Sequence, residues 1–213
     1  MAKILNWHIF RKKIKEKNML IFTPHDVARI FNVSPVAVRF FVYRNTRKGL
    51  LIRLKKSQKG SLYCLADEIP NQYLIANRIY EPSYISFDTA LSYHNIIPES
   101  IYTISSSTPK PTREFLVIGI RYVYHRIRKD FYTGYNPTQY QNTTILMASA
   151  EKALVDYLYF IILKKRSLQY ERLNLDLIKK GKLLKLAELY NKPSMFHLID
   201  QIYANHRKLK RIR

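Results

Sequence analysis

Apolar positions early in the chain recur at helical spacing, then give way to short β-rich runs. In residues 3–17, Ile4, Trp7, Phe10 and Ile14 fall near one stripe while Arg11, Lys12, Lys13, Lys15 and Lys17 lie elsewhere, which predicts an amphipathic helix. Residues 19–22 read as a short strand. Thr23-Pro24 opens a helix that runs through Phe31, and Asn32-Val33 make a turn. Ser34 then caps a second helix, with Pro35 in its first turn where a missing N–H costs nothing, and Gly49 ends it after Arg47. Residues 50–54 and 62–65 are β-rich and joined by the lysine-rich stretch 55–60. This order predicts a winged helix-turn-helix. On its second helix Ala37, Val38, Phe41 and Val42 share the face expected to pack on the first, and Val36, Arg39, Phe40, Tyr43 and Arg47 share the opposite one.

Beyond an acidic turn near Ala66–Pro70 the pattern changes. Residues 71–80 and 86–94 read as helices, the latter with Ser86 as N-cap and Asp88 in its first turn. A β-rich block follows at 102–105, 115–120, 122–126 and 144–147, punctuated by Pro109, Pro111 and Pro137. The last third predicts helices over 149–163, 175–190 and 194–208. The expected fold class is therefore α+β: a winged helix-turn-helix over 1–68, then a mixed α/β domain over 69–213 with a helical end.

Composition narrows the function. A chain of 213 residues with 47% apolar and 13% aromatic positions is long enough to bury a core, which excludes a disordered polymer. Its net charge of +22 favours a polyanionic partner. Residues 1–68 hold fifteen Lys and Arg against four Asp and Glu, so half of that charge sits in a third of the chain. The single cysteine, Cys64, excludes a disulfide within the chain and suits burial in a strand. The longest apolar runs, 115–120 and 158–163, are far below the roughly 18 residues of a membrane span, and the N-terminus lacks a secretory pattern. A soluble, cytoplasmic protein without a membrane partner is expected.

Five glycines make no phosphate-binding loop, and the scattered histidines have no metal-ligand spacing. His94 most simply ends a helix, and His197 falls in an apolar stripe. No cofactor, no metal and no enzymatic activity are expected. The charge points instead to double-stranded DNA. Arg39 and Arg47 suit guanine edges, and an apolar group such as Val36 or Phe40 suits a thymine methyl. Tyr43 shares that face, Ser34 opens it and Arg44 at its edge suits phosphate. Arg53, Lys55, Lys56 and Lys59 lie in or beside the wing, where backbone contact is expected. Phe40 and Tyr43 have a second reading, as packing under the wing or on the first helix. The basic C-terminal end, Arg207, Lys208, Lys210, Arg211 and Arg213, reads as a solvated helix end or a second polyanion contact.

Two further motifs carry a resemblance. Residues 75–91, Ile-Ala-Asn-Arg-Ile-Tyr-Glu-Pro-Ser-Tyr-Ile-Ser-Phe-Asp-Thr-Ala-Leu, and about sixty residues later Met-Ala-Ser-Ala-Glu-Lys-Ala-Leu-Val-Asp over 147–156, resemble in that order segments of the AbiEi family of antitoxins. With the winged helix, the resemblance covers most of residues 20–165. It implies a bacterial type IV toxin–antitoxin or abortive-infection antitoxin, a phage-defence component. Such a protein represses its own promoter through the winged helix and neutralises a nucleotidyltransferase-like toxin through the C-terminal domain. The wing here is more lysine-rich than the family pattern.

The same motifs have plain structural readings. Pro82-Ser83 ends one helix, and Ala150, Ala153, Leu154, Tyr157, Leu158 and Ile161 form an apolar stripe on another. Glu151 sits in a first turn favoured by the helix dipole, and Lys152 and Asp156 are spaced to pair. Tyr84, Asp88 and Tyr93 suit either a partner surface or a core edge and cap; Tyr84, Asp88, Glu151, Lys152 and Asp156 are the candidates for an antitoxic role. Two alternatives stand beside this reading: a winged-helix regulator with no antitoxin role, and a metal-dependent nuclease or phosphotransfer enzyme built on Glu151, Lys152 and Asp156.

Overall fold

A computed structural model of the protein describes residues 5–56, 60–167 and 173–212, with residues 209–212 described by backbone alone. The chain is mixed α and β and divides into two compact units, Met1–Ile79 and Tyr80–Arg213. The division falls one helix later than the acidic turn at Ala66–Pro70, because that helix packs on the first unit's hairpin.

The first unit runs α1 (Trp7–Glu16), α2 (Pro24–Phe31), α3 (Pro35–Arg47), β1 (Leu51–Lys55), β2 (Leu62–Leu65) and α4 (Gln72–Ile79). Local chemistry sets its boundaries. The Thr23 hydroxyl accepts from the Asp26 N–H at 3.1 Å while the Asp26 carboxylate accepts from the Thr23 N–H at 2.9 Å, a reciprocal cap on α2. Asn32, left-handed at φ 50°, closes that helix and turns the chain into α3. β1 and β2 pair antiparallel from Leu51 opposite Leu65 to Lys55 opposite Leu62, with an irregularity after Arg53. The strand expected over 19–22 is reduced to one bridge, Phe22 to Tyr63. The core gathers around Phe10, whose ring lies 4.9 Å from Phe41, 5.5 Å from Phe22, 5.6 Å from Phe31 and 5.7 Å from Trp7. Val38 and Val42 of α3 complete it. Cys64 is buried in β2, and burial pushes its thiol up to about 12.

The second unit contains a six-stranded mixed sheet. Its strands are β3 (Tyr84–Ile85), β4 (Thr103–Thr108), β5 (Arg113–Val117), β6 (Ile120–Arg126), β7 (Tyr135–Tyr140) and β8 (Thr143–Ala148), in the spatial order β5-β6-β4-β3-β8-β7. β3 joins the two halves, antiparallel to β4 and parallel to β8. Its helices are α5 (Phe87–Tyr93), α6 (Ala150–Ile162), α7 (Lys180–Glu188) and α8 (Pro193–Ile212). α6 packs against β8, α5, α7 and α8. It is buried nearly all round, so its inward surface takes in Lys152, Val155, Asp156 and Phe160 as well as the predicted stripe.

Several expectations need correction. The apolar run 115–120 is a hairpin, not a strand: Ile118 at φ 49° and Gly119 at φ 74° make a tight turn inside it. β4 extends through Ser106, Ser107 and Thr108, residues with weak β signal, because it is flanked by strands on both sides. β7 was hidden by Pro137, which the sheet accepts because β7 is an edge strand. The helix predicted over 175–190 is a 3-10 turn at Leu175–Leu177 followed by α7. Ser86 precedes α5 but makes no side-chain cap, because its hydroxyl is drawn elsewhere.

Candidate functional site

α3 presents one face to its core and one to solvent. Val38, Phe41 and Val42 are buried. On the other side Val36, Phe40 and Tyr43 are 54%, 62% and 59% exposed, and Arg39, Arg44, Arg47 and Lys48 are exposed around them. Phe40 and Tyr43 therefore pack neither under the hairpin nor on the first helix. The Ser34 hydroxyl accepts from the Ala37 N–H at 3.2 Å, which fixes the start of this surface. The Arg47 guanidinium leans back on Tyr43, with Nη1 3.4 Å from the phenol oxygen and the cation 6.0 Å from the ring centre.

The charge around this face is one-sided. The first unit holds four carboxylates, and all are engaged by α1 and α2. Asp67 takes Arg11 Nε at 2.9 Å, Glu68 takes Lys15 at 3.0 Å, Glu16 lies 3.9 Å from Lys12, and Asp26 lies 3.8 Å from Arg29. Among the described residues, Arg39, Arg44, Arg47 and Lys48 of α3 and Arg53 and Lys56 of the hairpin have no carboxylate partner. Arg44, Arg47 and Lys48 gain about 0.3–1 kcal/mol each from the helix C-terminus. Arg39, in mid-helix, has no such reason to be there. Lys55 differs from its neighbours: its ammonium donates to the Ile79 carbonyl at 2.5 Å and so ties the hairpin to α4. Lys59 lies outside the described residues, as do the side chains of Lys210, Arg211 and Arg213.

In the second unit, the two motifs separated by some sixty residues meet at one carboxylate. Asp156 Oδ2 accepts from the hydroxyls of Tyr84 at 3.0 Å, Ser86 at 2.7 Å and Ser107 at 3.1 Å. Oδ1 accepts from Lys152 Nζ at 2.6 Å and from the Tyr190 hydroxyl. Lys152 also donates to Tyr190 at 2.5 Å. Lys152 and Asp156 have no exposed surface. Burial, reinforced by the Asp156 charge, pushes the Tyr84 and Tyr190 phenols well above their usual values, so both stay protonated donors. Above the cluster, Gly134 at φ 77° passes so close that a Cβ would lie 3.0 Å from Lys152 Cγ. With both oxygens of Asp156 occupied, this arrangement anchors α6 to β3, β4 and the end of α7. The sequence held no local signal for Ser107 or Tyr190.

The other two candidates sit apart. Glu151 pairs with Lys182 at 2.9 Å and accepts from the Lys179 N–H at 3.3 Å. Burial pushes its carboxyl up, but Lys182 and backbone N–H donors together outweigh burial and hold it low. Asp88 pairs with Arg166, whose Nη2 lies 3.3 Å from His125 Nε2 and whose cation lies 5.1 Å over Phe87 and 5.5 Å over Tyr157. Burial, then Arg166, push His125 down to about 4. Tyr93 packs on His94 and Tyr140, and His94 Nε2 meets the Ala148 carbonyl at 2.8 Å. Among the described residues no three His, Cys, Asp or Glu side chains gather as metal ligands, and no helix is long and apolar enough to cross a membrane. No family model and no curated protein matches the chain.

Proposed function

We propose that the first unit is a winged helix-turn-helix that binds double-stranded DNA, with α3 in the major groove and the β1–β2 hairpin as the wing. The observation that carries this reading is the outer face of α3: three large apolar side chains ringed by cations, with every carboxylate of its unit held elsewhere. A duplex supplies the missing anions on both groove walls and apolar methyls on the groove floor. Arg39 is the leading base reader. Arg44, Arg53 and Lys56 are backbone contacts.

The chain as a whole is, on this proposal, a cytoplasmic repressor-antitoxin of the AbiEi type. It represses its own promoter and neutralises a nucleotidyltransferase-like toxin, either by contact or through the toxin's nucleic-acid substrate. Support for this second part is the resemblance of the two motifs, together with their convergence on Asp156, which gives their residues one common purpose. Tyr84, Lys152 and Asp156 then serve neutralisation by holding the domain in shape, since they are buried.

Fluorescence anisotropy on the protein's own upstream duplex and a scrambled duplex, at one near-physiological salt concentration, tests the DNA reading. The native duplex is preferred, and Arg39→Ala/Arg47→Ala weakens the preference while toxin rescue in cells survives. Equal affinity for both duplexes would reduce the interaction to charge alone. Repression without toxin rescue would leave a stand-alone regulator.

A further inference from the structure

We infer that α3, beside the base contact of Arg39, reads thymine through its 5-methyl group, with Val36 and Phe40 as the methyl-sensing residues. The inference rests on the DNA-binding reading above and deepens it. Val36 and Phe40 stand one turn apart on the outer face, each more than half exposed, and neither carries a polar atom that could read a base edge. Phosphate offers such groups nothing. In the major groove the only apolar group on a base edge is the thymine methyl.

The arginines do not displace this reading. Arg47 is folded back against Tyr43, which leaves Arg39 as the one mid-helix guanidinium projecting from the face. The outer surface of α3 is therefore an apolar strip with cationic borders. A protein partner would have to meet that strip while bringing carboxylates for Arg39, Arg44, Arg47 and Lys48 around it. A duplex brings both complements in one regular structure, phosphates outside and methyls between, so charge complementarity selects DNA as the occupant.

The test replaces every thymine of the upstream duplex by deoxyuridine, which deletes the methyls and keeps base pairing and charge. Full-length protein is titrated by anisotropy against the thymine and uracil duplexes across a salt series. One methyl removed from water corresponds to about a fourfold change in affinity. The wild type is expected to bind the uracil duplex roughly fifteen-fold more weakly if two methyls are met, with an unchanged salt slope because the phosphate contacts persist. Val36→Ala/Phe40→Ala is expected to bind both duplexes alike, at the affinity of wild type for uracil DNA. Both side chains are exposed, and circular dichroism checks that the variant folds. Affinities within about twofold for the two duplexes would overturn methyl sensing while leaving DNA binding in place. So would a variant as sensitive to uracil as the wild type, since the methyls would then act through DNA shape. Absence of any salt-dependent duplex binding by the wild type would overturn the DNA reading and this inference with it.

Discussion

Replacing Asp156 by alanine separates a structural role for the second motif from a role in partner contact. The substitution strands the Lys152 ammonium at zero exposure, with the Tyr190 oxygen as its remaining hydrogen-bond partner among the described residues, and removes the acceptor from Tyr84, Ser86 and Ser107. Breaking a buried ion pair from one side costs about 3–5 kcal/mol. Each orphaned buried hydroxyl adds about 1–3 kcal/mol where relaxation cannot bring it a new partner. The shared carboxylate makes these costs overlap, so the expected loss is about 4–6 kcal/mol, close to the whole stability of an ordinary domain. Asp156→Asn keeps one acceptor oxygen and should lose less.

Guanidinium unfolding reads the effect. Trp7, the single tryptophan, reports the core of the first unit by fluorescence, and the packed tyrosines 84, 132, 135 and 190 report the second by near-ultraviolet circular dichroism. At a slope of ~3 kcal/mol per molar denaturant, the tyrosine midpoint should fall by more than ~1 M, with the Trp7 midpoint little changed. A loss below about 1 kcal/mol would refute the anchoring role. If such a folded variant also failed to neutralise toxin, Asp156 would belong to a contact surface after all.

Three further outcomes follow from the geometry. Replacing Arg44 and Lys56 by alanine should weaken all duplexes about equally and reduce the salt slope by roughly one unit per lost phosphate contact, whereas Lys55→Ala, which cuts the tie to Ile79, should lower thermal stability and leave the slope alone. His125 should make stability pH-dependent: its folded value near 4 lies below the ordinary 6.5, so the unfolded chain takes the proton first as pH falls. Stability is then full above pH 6.5, falls between 6.5 and about 4, and is level below, with a maximum effect of about 3 kcal/mol; His125→Phe, which keeps the ring contacts to Phe87 and Phe160, should abolish that slope in urea titrations at stepped pH. Gly134→Ala should cost about 2 kcal/mol or more by chemical denaturation, from the left-handed backbone plus the clash with Lys152. Gly119→Ala, left-handed but in open space, should cost less.

What the sequence disclosed tracks how local each cause is. The order of the first unit was legible because a capping pair, a left-handed Asn and a Ser-Pro start are each fixed within four residues. Its outer face was legible from helical period alone, and exposure then removed the packing reading of Phe40 and Tyr43. In the second unit local signals misled. Ser86 has the composition and place of an N-cap, yet its hydroxyl serves a carboxylate seventy positions away. The polar strand Ser105–Thr108 is stabilised by its neighbours in the sheet, which no window of the sequence contains. Lys152 and Asp156 were legible as a helical pair, while Tyr190, which completes the cluster, was reachable only through tertiary structure.

The place of Tyr190 in the chain gives the protein a timetable. Every member of the cluster around Phe10 lies before residue 66, so that part of the first unit can close as soon as its first three helices and hairpin have left the ribosome. The second unit must hold Lys152 and Asp156 without their last hydroxyl until Tyr190 has been made, 34 residues after Asp156 and about 2–7 seconds on at ordinary rates of synthesis. The nascent chain therefore carries a closed N-terminal core while its second unit is unfinished, and losing the last two helices with Tyr190 between them would leave a buried charge pair unsealed rather than merely shorten the protein.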